Sequence, residues 1–495
     1  MMTSLLERTV PSGRLVSALA LWLGGSQLLL WRFLDVAPLW AYGIGLILLG
    51  LVVFGIDRGK DERAGPSVAI LLVCFLVALA LLVLGGEGRF AYANIDWQVR
   101  FAVLRDMRVN PWPFVYTARG APDLLRAPVG MFLAPALIGK ALGARAADIA
   151  LLVQNSAIVA LLLALGSTLF ATRRARLVAL VVVIGFSGLD ALGRILFRGG
   201  LSDHLENWAY LQYSSTITQA FWVPNHAIAG WAGAVAFLLW RAGKAPLGGF
   251  LALLPLTALW SPLGLAGAMP FAALAGVRAL IARDIRAQDI ALPALATLLC
   301  LPGLLYMAAA PEAVGARWQP MPAAQWGLFE LLEVLVYALP LALLWRRQRF
   351  GADTLALLTL WLLAIPFVQV GWSTDFMMRG SIAALTILAV MTADAVMQPG
   401  RTRRWLIVML LIGGVTGLAE IRRAVAYPPA PQVRCSFFKA WDQSFGSFPK
   451  GSWVAPLSAM PALLRPADPA KASAVEPARC WDGYWHHPDK PDPSG

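Results

Sequence analysis

The chain has 495 residues, 59% of them hydrophobic and only 14% charged, with a formal net charge of +13 and a mean hydropathy of +0.66. Soluble globular domains carry about 25% charged residues, so the composition excludes that class and reads as an all-α polytopic membrane protein. Its Lys and Arg residues are dispersed among short connections rather than gathered on a polar domain, which argues for topology charge and against nucleic acid as a partner.

At the N-terminus, Arg8 and Arg14 precede an apolar run from Leu15 to Trp31 that resembles a signal sequence. No small-residue cleavage site follows and another apolar window comes at once, so the run is expected to stay as a first span. Windows long enough to cross a hydrocarbon core of about 30 Å recur thirteen times. They cover 15–32, 36–56, 67–86, 147–170, 177–197, 223–240, 246–260, 262–282, 289–310, 326–345, 353–371, 380–397 and 405–422.

Charge alternation supports this count. The connections after even-numbered spans, DRGKDER, RRAR, RAGK, RDIR, RRQR and GRTRR, are short and basic. With the N-terminus in the cytoplasm, each obeys the rule that Lys and Arg stay on that side. Counting Pro128 to Leu142 as a span would break the alternation from RRAR onward. That segment is short and carries Lys140, so it is predicted to lie flat on the outer surface. These features predict thirteen transmembrane helices in a bacterial-type inner membrane, with residues 1–424 as the membrane domain and 425–495 as a periplasmic C-terminal region.

The outer connections differ in character. The largest, an insert within the outer loop 87–146, is rich in Arg and aromatic residues. Asp96 lies just outside an apolar span and is followed in helical rhythm by Val99, Ala102, Val103 and Met107, with a break at Asn110, Pro111 and Pro113. Arg100, Arg105, Arg108, Arg119 and Arg126 surround it, a pattern suited to an anionic lipid head group. A second outer stretch, 198–223, contributes Asp203, His204, Glu206 and Asn207, read as a polar helix start. Asn225 and His226 follow where the chain re-enters the membrane. The short loop before span twelve holds Asp375 and Arg379. Asp190, Glu330, Glu333 and Glu420 fall toward outer ends of spans and predict a cavity opening outward.

Cys435 and Cys480 both lie in the C-terminal region, where they either form a disulfide or remain as two free thiols, while Cys74 and Cys300 are inside spans. No zinc-type spacing, Walker loop or dinucleotide fingerprint occurs, so no cofactor is expected; a divalent metal on His204, Glu206 and His226 stays open as an alternative, though their spacing matches no known ligand set.

The insert resembles the first outer loop of the C-type glycosyltransferase (GT-C) superfamily, in particular lipid A aminoarabinose transferases and protein O-mannosyltransferases. The matching features are Asp96, Met107, Trp112 with Pro113, Pro128 with Gly130, Gly143 and the span from Ala147 onward, about 75 residues in all. Two positions depart from the pattern: Trp97 stands where the family often has Glu, and Ala127 where it has Lys, with Arg126 one residue earlier. The resemblance implies transfer of a sugar from a polyprenyl-phosphate donor to a glycan, lipid or protein acceptor. Asp96 would be the general base and Arg379 the main phosphate ligand. Arg379 is also spaced to pair with Asp375, a role compatible with phosphate binding. Arg126 and Arg100 are weaker phosphate ligands, His226 a donor to phosphate or sugar, and Tyr210, Tyr213, Trp208 and Trp222 either stacking surfaces or an aromatic belt. A lipid-linked glycan polymerase or ligase, and a lipid or glycan transporter or flippase, are the alternatives.

Overall fold

A computed structural model describes residues 6–58, 65–202, 204–310, 315–371, 374–473 and 476–485. Among the described residues, the chain is mostly helical and its strands form three two-stranded ladders. Among the described residues, seven helices are long and apolar enough to cross a membrane: Ser12–Leu34, Leu39–Asp57, Ala144–Ser167, Pro262–Ala282, Ala287–Met307, Ala323–Ala342 and Arg401–Ala426. Shorter apolar helices include Val68–Leu84, Leu247–Leu256, Ala352–Phe367 and Ile382–Val396. Leu39, Trp40, Ile44, Ile47 and Phe54 are exposed along one of the long helices, as expected of a lipid-facing surface.

Helix starts follow local chemistry. Ser67 caps Val68–Leu84 by accepting from the Ile70 amide, and Ser261 caps Pro262–Ala282 by accepting from the Gly264 amide, with Pro262 at the first helical position.

The predicted span 177–197 is not one helix. Helix α1 (Arg173–Ile184) ends before a five-residue break, and α2 (Asp190–Arg198) begins after it. The break is built in rather than frayed. The Thr216 amide donates to Phe186 O, the Tyr337 hydroxyl to Ser187 O and the Leu189 amide to Leu332 O, so its backbone groups are satisfied from neighbouring elements. Gly188 is required there, because a Cβ at that position would run into the Glu333 carboxylate. Glu333 itself lies on a π-helical turn, Leu331–Leu335, inside the predicted span 326–345.

The segment predicted to lie on the surface is helix α3 (Gly130–Leu142), whose Met131, Phe132, Leu133 and Ala136 are buried. It packs on α4 (Ile95–Val109) and on Ala144–Ser167.

Residues 427–473 and 476–485 fold onto the insert rather than standing apart. Phe114–Val115 pairs in parallel with Ala470–Lys471, and Asp123–Leu125 pairs antiparallel with Val454–Pro456. Helix α5 (Phe437–Phe445) lies on α4, where the Phe437 amide donates to Asp106 Oδ2 over 2.8 Å. Burial pushes the Asp106 carboxyl up to about 6, offset by that amide and by Arg105 and Tyr116. Cys435 and Cys480 form a disulfide, the paired alternative of the two open from sequence. The connections gather in two groups. The insert lies beside residues 221–226, 257–261 and 375–380, whereas residues 65–66, 167–171, Lys244 and Arg349 converge elsewhere on the molecule.

Candidate active site

The site is built on the start of α4. Asn94 caps it by accepting from the Asp96 amide at 3.0 Å, which leaves Asp96 in the first turn, where the helix dipole favours a carboxylate. Both Asn94 Nδ2 and the Trp97 indole donate to Phe221 O, at 2.9 and 2.8 Å. This clamp ties the helix start to α6 (Thr216–Trp222) and explains why an indole suits position 97. The Asp96 side chain keeps 26% exposure, whereas Arg100, one turn on, keeps 3%.

Arg100 Nη1 donates to Asn225 Oδ1 at 2.7 Å, while its other terminal nitrogen stands 3.8 Å from Asp96 Oδ2. Asn225 opens helix α7 (Pro224–Arg241), and its amide donates in turn to Trp260 O at 2.9 Å. His226 Nδ1 lies 2.7 Å from Ser261 Oγ, the capping hydroxyl of Pro262–Ala282. Gly130 packs against the Trp260 indole so closely that a Cβ there would sit 2.8 Å from Nε1.

Arg379 is on the short helix Asp375–Gly380, ion-paired with Asp375. It lies within electrostatic reach of Asp96, Arg100 and His226. Burial raises the Asp96 carboxyl above its ordinary range, and Arg100 and then Arg379 pull it back. The Arg100 guanidinium is lowered to about 10 by burial, against the pull of Asp96, and stays charged at neutral pH. Behind it, burial pushes Glu87 up to about 8 although Asn155 donates to both its oxygens, at 3.0 and 3.1 Å.

Three buried donors in this neighbourhood have no acceptor among the described residues: Arg100 Nε, Arg379 Nε and Trp260 Nε1. Buried N–H groups are almost always satisfied, so such a set around a carboxylate calls for an anionic or polar ligand.

The fold therefore brings together Asp96, Arg100, Asn225, His226, Asp375 and Arg379. Other predicted residues go elsewhere. Arg126 reaches the C-terminal region, with its guanidinium donating to Gly451 O and its amide to Trp453 O, both at 2.7 Å. His204 contacts Glu420 at 3.1 Å and lies against the Trp222 ring, and Arg423 pairs with the same carboxylate at 3.0 Å. Glu206 accepts from the Ser215 amide and from Gln212, at 2.9 and 2.6 Å. Residues 204–207 start no helix; the next one begins at Thr216. Trp208 and Tyr213 are buried, with the Trp208 indole donating to Glu333 at 3.0 Å, so neither presents a free face to a sugar. Asp203 lies outside the described residues. Among the described residues, no group of three His, Cys, Asp and Glu side chains is placed to hold a metal ion.

Sequence reasoning missed Ser261, Trp260 and Glu87. The Ser-Pro pair at 261–262 was a readable cap signal, but nothing in the sequence put it beside His226.

Comparison with family models, with curated proteins and with solved structures finds no match.

Proposed function

We propose that the chain is an integral membrane glycosyltransferase that moves a sugar from a polyprenyl-phosphate donor to a glycan, lipid or protein acceptor. The observation that carries this reading is the convergence of Asp96 with two guanidiniums, the buried Arg100 and the half-buried Arg379, each holding a buried Nε donor without an acceptor among the described residues.

In this reading an acceptor hydroxyl attacks the anomeric carbon and gives its proton to Asp96 as the bond to the lipid phosphate breaks. Charge grows on the departing phosphate oxygen, and Arg379 and Arg100 neutralise it in a water-poor setting. Burial of Asp96 makes it a stronger base than a solvated carboxylate, and the two cations keep it ionised until the proton arrives. His226, with Nδ1 on Ser261, and Asn225, fixed by Trp260 O, hold the sugar end. The short basic connections would be cytoplasmic, and the site and C-terminal region would face the periplasm of an inner membrane.

One observation favours a second reading, proton-coupled transport. Asp190 and Glu333 are both buried inside the bundle, where carboxylates are costly and mark transport pathways. Purified protein given radiolabelled polyprenyl-phosphate sugars separates the two. Acceptor-dependent release of lipid phosphate, lost in Asp96→Asn, supports transfer; intact donor moved across vesicles without cleavage supports transport.

A further inference from the structure

A second recess lies away from the Asp96 site. It is a mostly apolar groove of about 770 Å³ between Val68–Leu84, Ala144–Ser167 and α1, floored by Trp231 and Val235 of α7 and by Thr386 and Val390. Helix α1 packs on Ile382–Val396 and stands off from Val68–Leu84, which leaves the groove open. Only Ala179 and Val182 of α1 are buried. Along Val68–Leu84 the lining residues run from Ala69 to Leu81, about 18 Å at 1.5 Å per residue. This is close to half of a hydrocarbon core of about 30 Å, the depth of one leaflet.

One end of the groove is basic. Arg173 and Arg176 line it there, and Ser167, Phe170 and Arg176 also line an adjoining cup of about 280 Å³ that holds Lys244 and Arg349. Arg349 is braced by Asp394 at 3.2 Å and by Leu169 O at 2.6 Å, and Arg176 by Phe170 O at 2.9 Å, so these cations are fixed in place. Among the described residues, the acidic groups near them are Asp394, already paired with Arg349, and Glu7 at the groove mouth. The cup is formed by the short basic connections, so by the charge rule it lies at the cytoplasmic headgroup level.

We infer that this groove and cup form a binding site for one anionic glycerophospholipid of the cytoplasmic leaflet. Its acyl chains lie along Val68–Leu84, and its phosphate head rests in the cup formed by Arg176, Lys244 and Arg349. Two features select this occupant. An apolar channel one leaflet deep suits acyl chains rather than water, and basic pockets between helices on the cytoplasmic side recognise anionic heads.

The test reconstitutes the full chain in nanodiscs of phosphatidylglycerol mixed with phosphatidylcholine, then extracts it into detergent and identifies retained lipid by native mass spectrometry. Thermal unfolding is followed with each lipid added. The wild type retains one phosphatidylglycerol per chain and is stabilised by that lipid more than by phosphatidylcholine. Arg173→Ala combined with Arg176→Ala lowers retention at least tenfold. Gly166→Phe does the same by another route, since Gly166 lines the groove and a Cβ there meets nothing within 4 Å, leaving room for the ring to enter. Equal retention of the two lipids by the wild type overturns the proposal. So does unchanged retention in both variants, or a polyprenyl phosphate as the retained species. If the arginine variant unfolds, the Gly166→Phe result decides alone.

Discussion

Asp96→Asn separates chemistry from structure at this site, because its structural cost is small. The Asn94 cap acts on the position-96 backbone amide and survives the change, and Arg100 keeps Asn225 at 2.7 Å. What is lost is an ion pair at 3.8 Å, too long for a hydrogen bond, plus the favourable end of a helix dipole. Together these are worth about 1 kcal/mol or less. Loss of a general base lowers turnover by roughly 10²- to 10⁴-fold, or about 3–5 kcal/mol in the barrier. Release of lipid phosphate from a panel of radiolabelled polyprenyl-phosphate sugars, with donor binding and thermal unfolding measured on the same preparations, reads both effects. The expected result is turnover reduced at least a hundredfold with donor affinity and unfolding temperature nearly unchanged. Turnover within twofold of wild type refutes the role of Asp96. A loss of affinity as large as the loss of turnover shows instead that Asp96 shapes the pocket.

Four further outcomes are expected. Arg379→Ala removes a charged donor and should weaken donor binding by roughly 10- to 100-fold, the range for about 1.5–3 kcal/mol, with Arg379→Lys recovering part of it in an equilibrium binding assay. Because the Asp96 carboxyl is raised and must be ionised to act, turnover should fall as pH drops through a value above the ordinary 3.8. The acid limb of the pH profile should vanish from the residual activity of Asp96→Asn. Cys435→Ser with Cys480→Ser opens a loop of sequence separation 45. By the chain-entropy relation this costs about 4 kcal/mol, and it should appear as a lower unfolding temperature and earlier proteolysis of the C-terminal region. Arg126→Ala should also lower the unfolding temperature, by freeing the Gly451 contact, and leave donor affinity unchanged.

The sequence was most informative where one physical rule acts alone. Apolar windows place most of the bundle, because each helix must satisfy its own backbone in lipid. The 177–197 window misled for the same reason. Its composition suits a single helix, but the break at 185–189 is satisfied by Thr216, Leu332 and Tyr337, partners remote in sequence. Asp96 was legible as a carboxylate at a helix start, and Arg379 as a cation beside a span. Their neighbourhood was not, because it depends on Phe221 clamping Asn94 and Trp97, and on Asn225 bridging Arg100 to Trp260. Arg126, His204 and Glu206 had the right chemistry and the right stretch of chain. The C-terminal region claimed the first, and Glu420 and Ser215 the others. No spacing rule encodes those tertiary partners.

The most direct measurement is a cryo-electron microscopy map of the protein with a polyprenyl phosphate bound. The expected result is phosphate density against the Nε groups of Arg100 and Arg379, with Asp96 facing the position of the departing sugar. Head-group density in the basic cup beside Arg176 and Lys244, with the Asp96 neighbourhood unchanged, would contradict it.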